Sequence, residues 1–540
     1  IEELFAEWEE KADDKDVRAE LDAMRGDAAL KEDCFYRHLA FGTGGVRGVM
    51  GAGTNRMNVY TVGRVTFGLA DYLQGRGKVA VAYDTRKHSR EFAFRIADIL
   101  SSRGTDVYIY ERPVPTPVLS FTVRFLKADA GIVITASHNP KEYNGYKVYN
   151  GQGCQITDGA AAEITACIER HGCFESYVPD PGRIHMLGEE TEDAFLDAVM
   201  RCGFGKEGEY PSLVYTPLNG TGRIPAEKLF RRLGMTDYEI VPEQAEPNGE
   251  FPTCPYPNPE EPAALELALS LARRRGAELV LATDPDADRI GVAVREKDGY
   301  RRLTGNEVGV LLEQFILGKR KDAGTLPGNA CVIKTIVTTD LADVVAAAYG
   351  ANIIDVLTGF KYIGEKIDSL SSENSFVFGM EESCGYLAGT HVRDKDSLSA
   401  MLCILQMTAH YKAQGLTLCD ALARLYAEYG YRSTRLLSRT FGGASGKAQM
   451  DGLIAGIRRA PFRQLAGEEV RSFCDYAKGI DGLPQSDVLC FSSENCKAVI
   501  RPSGTEPKLK LYFFAAGKNA SGADEKLEKL ISDVCGRLGL

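Results

Sequence analysis

Runs of Val, Ile, Ala and Leu alternate with amphipathic segments through most of the first four hundred residues of the chain. The apolar runs have the length and β-branched content of buried strands, and the segments between them have the helical spacing of apolar positions. This alternation predicts an α/β fold, in which helices connect the strands and cover the faces of the sheets.

The pattern also recurs on the scale of domains. Three segments each predict a strand, a polar turn and a helix: "KVAVAYDTRKHSREFAFRIADIL" (78–100), "SLVYTPLNGTGRIPAEKLFRRLG" (212–234) and "CVIKTIVTTDLADVVAAAYG" (331–350). Each segment is followed by a second strand that ends in a loop rich in chemically functional side chains. We therefore predict three topologically related α/β units.

The last hundred-odd residues have a different character. "CKAVIRPSGTEPKLKLYFFAAG" (496–517) predicts strand, loop and strand, and the Lys- and Glu-rich segment after it predicts a terminal helix. Strands followed by a helix favour an α+β domain over a fourth copy of the repeat.

Composition narrows the class of protein. A chain of 540 residues is long enough for three or four domains, and 44% hydrophobic with 26% charged residues is typical of a soluble globular protein. No apolar run approaches the roughly 18 residues that a membrane span needs. The first twenty residues are acidic and helix-like, unlike a signal peptide.

The charge and the cysteines predict the partners and the compartment. A net charge of −11 argues against nucleic-acid and anionic-membrane partners, so an anionic substrate needs locally concentrated positive charge. The fourteen cysteines are scattered singly, which indicates reduced thiols and a cytoplasmic protein.

The second strands of the three repeats end in "GIVITASHNP" (131–140), "ELVLATDPDADR" (278–289) and "SFVFGMEESCGY" (375–386). Ligands of open α/β sheets bind at the carboxyl ends of strands. We therefore expect these three loops to converge on one cleft.

The acidic loop predicts a metal site. Asp284, Asp286 and Asp288 alternate directly after a strand, so their carboxylates can project to one side. A divalent cation that prefers oxygen ligands, Mg²⁺ first, would offset their repulsion. A calcium-binding EF-hand is excluded, because Arg289 and Arg295 occupy the positions where it needs Gly and Glu. A solvated acidic turn and a phosphatase with Asp284 as nucleophile stay open.

The carboxy-terminal "RPSGTEPKLK" loop predicts a phosphate site. A planar guanidinium, two hydroxyls, a glycine and two lysines suit a phosphate dianion, and a β-turn with exposed basic residues is the alternative. The residues are Arg501, Ser503, Gly504, Thr505, Lys508 and Lys510. Neither "GGASGKA" nor "FGTGGVRG" has the spacing and context of a nucleotide-binding loop, which argues against a kinase.

Ser137 lies in "TASHNP", which is not the G-x-S-x-G elbow of a serine hydrolase. A metal loop, a phosphate loop and a serine at a strand end together indicate phosphoryl chemistry, with Ser137 as a phosphoryl carrier.

Five motifs, in order along nearly the whole chain, resemble those of the α-D-phosphohexomutases, in their phosphoglucomutase branch. They are "FGTGGVRGVMGAGTNRMN", "TASHNPKEYNGYKVY", "DPDADR", "GMEESCGY" and "RPSGTEPK". The resemblance implies three related α/β domains and a carboxy-terminal α+β domain around a central active-site cleft. The expected domains are 1–207 with the phosphoserine, 208–305 with the metal loop, 306–418 with the sugar loop and 419–540 with the phosphate loop.

The resemblance also implies roles for individual residues. Ser137 would be phosphorylated in the resting enzyme and would bind Mg²⁺ together with Asp284, Asp286 and Asp288. The side chains expected to face the reacting phosphoryl group are Arg289, His138 and Arg47, with Lys147 as the candidate general base. The residues expected to hold the substrate are Gly359, Lys361, Glu381, Ser383, Lys395, Arg501, Ser503, Gly504, Thr505 and Lys510.

The function implied is interconversion of glucose 1-phosphate and glucose 6-phosphate through glucose 1,6-bisphosphate, which also serves as activator. Phosphomannomutase and phosphopentomutase activities stay open, as do the metal-dependent phosphatase and a sugar-phosphate-binding protein without turnover. The expected partner is a small sugar phosphate, with no nucleic acid and no membrane, and the chain is expected to be a monomer or homodimer.

Overall fold

The computed structural model describes residues 1–442, 446–480, 482–503 and 508–540. Its chain forms two compact units. The first comprises Ile1–Val308 and Phe360–Thr417, and the second comprises Gly309–Gly359 and Leu418–Leu540. The boundaries of the four domains stay a prediction.

The first 200 residues contain eight helices and six strands. The helices are α1 (Glu2–Lys11), α2 (Lys15–Met24), α3 (Ala28–Phe35), α4 (Val59–Tyr72), α5 (Ser89–Ser102), α6 (Thr116–Leu126), α7 (Asp158–Ile168) and α8 (Glu189–Met200). The strands are β1 (Gly45–Val49), β2 (Lys78–Tyr83), β3 (Asp106–Tyr110), β4 (Ala130–Ile134), β5 (Tyr143–Asn150) and β6 (Ile184–Leu187), and a 3₁₀ turn covers Pro181–Arg183. They form one sheet in the order β1-β5-β4-β2-β3-β6.

This first sheet combines a parallel and an antiparallel part. Strands β4, β2, β3 and β6 run parallel, whereas β5 is antiparallel to β4 and to β1. Every residue of β4 is buried, as expected for a strand with helices on both faces of its sheet. The predicted serine loop therefore begins directly after a fully buried strand.

The next hundred residues build a second sheet. Its elements are β7 (Leu213–Thr216), α9 (Arg223–Leu233), β8 (Tyr238–Ile240), α10 (Pro242–Ala245), α11 (Pro262–Arg275), β9 (Leu279–Thr283), β10 (Ile290–Glu296) and β11 (Gly299–Leu303). The strand order is β11-β10-β9-β7-β8. Strands β9, β7 and β8 are parallel, and β10 is antiparallel to both of its neighbours. The aspartate loop connects the antiparallel pair β9 and β10.

The third group of elements follows the same strand–helix alternation. It comprises α12 (Gly305–Asp322), β12 (Ala330–Thr335), α13 (Leu341–Ala348), β13 (Asn352–Val356), α14 (Phe360–Asp368), β14 (Ser375–Glu381), β15 (Gly385–Leu387) and α15 (Ser397–Lys412). In the second unit β12 is parallel to β13, and in the first unit β14 is antiparallel to β15.

The carboxy-terminal elements form an antiparallel sheet with helices. They are α16 (Leu418–Tyr429), β16 (Tyr431–Thr440), α17 (Gly446–Arg459), β17 (Gln464–Leu465), β18 (Glu468–Glu469), β19 (Ser472–Asp475), a 3₁₀ turn (Tyr476–Lys478), β20 (Leu489–Ser492), β21 (Cys496–Pro502), β22 (Lys508–Gly517) and α18 (Ala520–Leu538). The sheet order is β16-β22-β21-β20-β19, and Leu527, Leu530 and Val534 of α18 are buried in its core.

The predicted fold class is confirmed: α/β units precede an α+β carboxy-terminal part. The sequence prediction missed one strand in each repeat, since β3, β8 and β13 lie between the strands it identified. Unlike β4 and β9, none of these three strands is buried along its whole length, and partly buried strands carry a weaker sequence signal. Among the described residues, no helix has the length and apolar content to span a membrane.

Close backbone packing next to the serine loop gives a stability prediction. A Cβ atom on Gly145, in β5, would lie 2.5 Å from the Thr135 carbonyl oxygen and 3.1 Å from that of Val46. We expect Gly145→Ala to lower the free energy of unfolding by about 1–3 kcal/mol, because the strands on both sides must separate. Chemical denaturation of the purified variant measures this change.

Gly159 is the matched control, because a Cβ atom there meets nothing within 4 Å and the residue lies in α7. Gly159→Ala should leave stability unchanged or raise it by about 0.4–1 kcal/mol. Equal stability of the two variants would contradict the packing argument.

Candidate functional site

Ser137 lies just beyond β4 in a constrained conformation. Its φ of 53° is in the left-handed region, and its backbone N–H donates to Thr135 Oγ1 at 2.7 Å. The residue is 4% exposed, so its hydroxyl lies in a buried position. Ser137 Oγ donates to Asp284 Oδ2 at 2.8 Å and lies 3.1 Å from His138 Nδ1. The structure thus brings the predicted serine and metal loops into direct contact.

A buried arginine that the sequence prediction missed holds the serine loop. The Arg86 guanidinium donates to the carbonyl oxygens of Ser137 at 2.6 Å, Asn139 at 2.5 Å and Pro140 at 2.8 Å. A planar fork of donors can satisfy several converging carbonyls at once, which an ammonium cannot do in the same geometry. The loop conformation therefore depends on a residue from the end of β2.

Asp84 anchors that arginine. Its Oδ2 lies 3.3 Å from Arg86 Nε and accepts from Thr135 Oγ1 at 2.7 Å, while its Oδ1 accepts from Ser89 Oγ at 2.7 Å. Both charged side chains are fully buried. The sequence did contain a signal for these two residues: the motif D-T-R (84–86) directly follows β2. Functional residues of α/β proteins gather at such strand ends.

The three aspartates form a buried carboxylate group, as predicted. Asp284, Asp286 and Asp288 are at most 1% exposed, and one oxygen from each lies within 4.8 Å of the others. The loop is tightly turned: the backbone N–H groups of Asp288 and Arg289 donate to Asp284 Oδ1, and Ala287 has a φ of 50°. The turn aims alternate side chains to the same side.

Two oxygens of this group fit a cation. Among the described residues, Asp286 Oδ1 and Asp288 Oδ1 have no hydrogen-bond partner although both are buried. Leaving carboxylate oxygens buried without donors is costly, and a divalent cation with oxygen ligands removes the cost. The residues present could therefore hold a metal ion.

The pKa values of the aspartates diverge. Burial, and then the charges of Asp288 and Asp286, raise the pKa of Asp284 well above its usual range. Burial also raises the pKa of Asp288, with Asp286 adding to it. Burial would raise the pKa of Asp286 too, but Lys147 holds it below its usual range. Three full negative charges are thus unfavourable here without further positive charge.

Two lysines approach the carboxylates. Lys147 Nζ lies 3.0 Å from Asp286 Oδ2 and 3.9 Å from Asp288 Oδ2. Lys395 Nζ lies 3.0 Å from Asp288 Oδ2. Burial lowers the pKa of Lys395, but Asp288 and its neighbouring carboxylates raise it above the usual value, so this side chain stays charged. The predicted base and a predicted substrate ligand both contact the metal loop.

His138 and Arg47 lie beside the serine. Burial lowers the pKa of His138 well below its ordinary value, and the nearby Arg289 and Arg47 lower it further. The imidazole is therefore neutral at physiological pH and accepts or donates without charge. Arg47, on β1, is exposed and donates to Asn139 Oδ1 at 3.2 Å.

The predicted sugar loop packs on the metal loop. Ser383 Oγ donates to Glu381 Oε1 at 2.9 Å, and Glu381 is 5% exposed. Arg289 Nη1 donates to the Ser383 carbonyl oxygen at 3.0 Å, and the Ile290 N–H donates to the Cys384 carbonyl oxygen. The loops after β9 and β14 are thus fixed to each other by backbone contacts.

Further polar side chains extend the site. Thr116 Oγ1 donates to Asp286 Oδ2 at 2.9 Å, a contact that the sequence did not reveal. Lys361, in α14, donates to the Thr43 carbonyl oxygen in the loop before β1. Its ammonium therefore lies near the amino-terminal glycine-rich motif.

The remaining predicted residues belong to the second unit. Gly359 has a φ of 119°, and Arg501 of β21 is paired in register with Lys510 of β22. The Ser503 N–H donates to the Lys508 carbonyl oxygen at 2.8 Å, so a backbone hydrogen bond joins the two sides of this hairpin next to its loop. Gly504 and Thr505 lie outside the described residues. A phosphate-binding role for this loop stays a prediction.

Comparison with known proteins identifies the family. The models described as phosphoglucomutase/phosphomannomutase alpha/beta/alpha domains I, II and III match residues 38–172, 193–299 and 304–429. A protein of known structure, a phosphoglucomutase/phosphomannomutase family protein from Burkholderia thailandensis, shares the fold with a TM-score of 0.69. It is 20% identical, and the match covers 91% of this chain and 97% of that one.

Curated relatives are more similar in sequence. A Staphylococcus epidermidis protein named phosphoglucomutase is 36% identical over 496 residues, covering 88% of this chain and 90% of the relative. A Haemophilus influenzae protein named "Probable phosphomannomutase" is 37% identical over 491 residues, covering 88% of this chain and 97% of the relative. The resemblance inferred from the five motifs is confirmed. The chain belongs to the phosphoglucomutase/phosphomannomutase family of α-D-phosphohexomutases and is an isomerase.

Proposed function

We propose that the protein interconverts glucose 1-phosphate and glucose 6-phosphate, with Ser137 as the phosphoryl carrier and glucose 1,6-bisphosphate as the intermediate and activator. The observation that carries the proposal is the 2.8 Å hydrogen bond from Ser137 Oγ to Asp284 within the buried carboxylate group. This hydroxyl lies beside the three aspartates, which could hold a cation next to a phosphoryl group on Ser137.

Asp284, Asp286 and Asp288 would hold Mg²⁺, whose oxygen preference matches three carboxylates. When bound, Mg²⁺ supplies positive charge that stabilises the negative oxygens of a transferring phosphoryl group. A phosphate on Ser137 adds about −1.5 to −2 charge, so it has to be matched by positive groups of the chain. Arg289, Arg47 and Lys395 are the cationic side chains available for this.

Apart from the covalent bond at Ser137, the main role of the chain in this mechanism is to position the reactants. Phospho-Ser137 donates its phosphoryl group to the free hydroxyl of the sugar phosphate, and the other phosphate of the bisphosphate later returns to Ser137 Oγ. Phosphoryl transfer of this kind depends mainly on alignment and charge stabilisation. The Arg86 contacts to the Ser137 loop serve alignment, because they fix the backbone that carries Oγ.

Lys147 is the proposed general base for the sugar hydroxyl. Its ammonium contacts Asp286, and a base must release its proton before it can accept another. Arg289, Arg47 and Lys147 all lie close enough to His138 to lower the pKa of that histidine. Lys147 thus belongs to a cluster of cationic side chains beside the serine loop.

Glu381 and Ser383 would bind sugar hydroxyls, with Lys395 and Lys361 reaching the substrate. The hydrogen bond between Ser383 and Glu381 orients the carboxylate, whose oxygens can accept from a pair of neighbouring hydroxyls. In the second unit, Arg501, Ser503 and Lys510 are proposed to hold the phosphate that is not reacting.

Glucose is the proposed sugar because the S. epidermidis relative, which matches most of this chain, is named a phosphoglucomutase. The H. influenzae relative makes mannose 1-phosphate the second substrate to test, and ribose 1-phosphate tests the phosphopentomutase alternative. Cytoplasmic location is proposed because the fourteen cysteines are scattered singly along the sequence, which is typical of proteins in reducing compartments.

Replacing the carrier hydroxyl tests the mechanism. We expect Ser137→Ala to lower the isomerisation rate by at least about a thousandfold, because no other step can substitute for the phosphoserine. A coupled assay for glucose 6-phosphate formation, with and without glucose 1,6-bisphosphate, measures the rate, and intact-mass analysis measures the single phosphate.

Ser102→Ala, at the end of α5, is the control and should retain both activity and the phosphate. Release of inorganic phosphate at an undiminished rate by Ser137→Ala would instead support a phosphatase with Asp284 as nucleophile. Wild-type activity of that variant would refute the carrier role.

Metal dependence tests the carboxylate group. We expect Asp286→Asn to raise the Mg²⁺ concentration needed for half-maximal activity by about tenfold or more, because it removes ligand charge from the group. A Mg²⁺ titration after treatment with a chelator measures this shift.

Asp298→Asn is the control, because Asp298 lies in the exposed β10–β11 turn. It should follow the wild-type titration. If Asp286→Asn and the wild type have the same Mg²⁺ dependence, the three aspartates do not form the metal site.

A further inference from the structure

A cysteine, a histidine and an aspartate outside the phosphoryl-transfer site form a chain of contacts in the first unit. Cys202 follows α8, His391 lies in the loop after β15, and Asp396 caps the amino terminus of α15. His391 Nε2 lies 2.8 Å from Asp396 Oδ2, and His391 Nδ1 lies 3.7 Å from Cys202 Sγ. In this order a carboxylate can orient an imidazole that takes a proton from a thiol.

Asp396 is held as a hydrogen-bond acceptor. It is fully buried, and it accepts from the backbone N–H groups of Leu398 at 2.9 Å and Ser399 at 3.2 Å. A carboxylate held by two donors has lone pairs left for His391 Nε2–H. This contact leaves the lone pair of His391 Nδ1 directed at the Cys202 thiol.

The surroundings of His391 favour its charged form. Burial alone would lower its pKa, but Asp396 and Cys202 together raise the pKa of His391 to about 9. A histidine within hydrogen-bonding distance of a thiol is the arrangement in which a base activates a cysteine as a nucleophile. Among the described residues, the further acceptor in contact with the Cys202 thiol is the Ala198 carbonyl oxygen, at 3.5 Å.

Cys202 also differs from most other cysteines in exposure. All fourteen cysteines fall within the described ranges, and eleven of them are buried. The partly exposed ones are Cys173, Cys202 and Cys474. Burial raises the pKa of the Cys173 thiol to about 12, so Cys173 is protonated at neutral pH and is a matched internal reference.

The sulfur atom is tightly packed on one side. A Cβ atom on Gly389 would lie 2.5 Å from Cys202 Sγ and 3.2 Å from His391 Nδ1, and Gly389 has a φ of 144°. An atom added to the sulfur on this side would therefore push against the loop that follows β15. That loop continues to Lys395, which contacts Asp288, and to Ser397, whose Oγ donates to the Ala287 carbonyl oxygen.

We propose that Cys202 is a modification site for peroxides, assisted by His391 and Asp396, and that its oxidation lowers turnover. The thiol proton passes to His391 Nδ1, and the thiolate attacks one peroxide oxygen. The S–O bond forms as the O–O bond breaks, the leaving oxygen takes the proton from His391, and the products are a sulfenic acid and water or an alcohol. The sulfur is oxidised and the peroxide is reduced.

Turnover is lowered because the added oxygen displaces the segment from Gly389 to Ser397. This segment contacts the metal loop twice, through Lys395 and through Ser397. A small displacement of groups that align a phosphoryl transfer costs a large factor in rate. The loss of turnover rests on the proposed function, whereas the reactivity of the thiol does not.

The reactivity is tested on the whole chain with iodoacetamide, followed by peptide mass spectrometry under native conditions. We expect alkylation of Cys202 to be at least about tenfold faster than that of Cys173, and His391→Gln to remove most of this difference. Trapping with dimedone after hydrogen peroxide treatment should label Cys202. Equal alkylation rates of Cys202 and Cys173 in the wild type would overturn the proposal without reliance on any variant.

The effect on turnover is tested separately by the mutase assay before and after hydrogen peroxide. We expect treated wild type to lose activity by about tenfold and to regain it with dithiothreitol. Cys202→Ser should keep basal activity and resist the treatment, whereas Cys173→Ser should respond like the wild type. Labelling of Cys202 without loss of activity would refute its control of turnover, and equal inactivation of Cys202→Ser would place the sensitive group elsewhere.

Discussion

The buried carboxylate group is the constraint on which the rest of the first unit depends. Asp284, Asp286 and Asp288 lie within a few ångströms of one another and away from water. Such a group is unfavourable unless positive charge and hydrogen-bond donors surround it. Donors and positive charge reach the aspartates from different elements of the chain. They are the side chains of Ser137, Thr116, Lys147 and Lys395.

The same constraint explains why the loops around the group are held by several hydrogen bonds. Charge compensation works only if the compensating atoms stay within hydrogen-bonding distance, so each loop is fixed by buried backbone contacts. Arg86 fixes the serine loop through three carbonyl oxygens, and Arg289 fixes the loop after β14 through Ser383. A site prepared in this way does not need to reorganise when charge moves during phosphoryl transfer.

The segment around His391 connects the proposed oxidation site at Cys202 with the buried carboxylate group. Asp396 caps α15 and also binds His391, and the residues on either side of Asp396 contact the metal loop. The same few residues therefore connect Cys202 with Asp288. Gly389 packs closely against the sulfur on one side, so an atom added to the sulfur there would meet this segment.

The sequence by itself determined the fold class and the chemistry of the loops. Strand and helix periodicity predicted the α/β units, because strands buried on both faces carry continuous apolar runs, as in β4 and β9. The spacing of the aspartates predicted a metal site, because alternate residues after a strand project to one side. Strands β3, β8 and β13 were missed because they are only partly buried and therefore carry a weaker sequence signal.

Tertiary structure alone decided which distant residues meet. The sequence predicted that the loops of Ser137 and Asp284 converge, but the direct hydrogen bond between the two side chains, across 147 positions of the chain, is set by the tertiary structure. The role of Arg86 depends on the carbonyl oxygens to which it donates, and the role of Asp84 depends on Arg86 and two hydroxyls, so both roles became visible only in the folded structure. The pairing of Cys202 with His391 was hidden likewise, because it is created by the packing of segments 189 positions apart. Residue types determine what chemistry is available, and folding determines which groups are close enough to perform it.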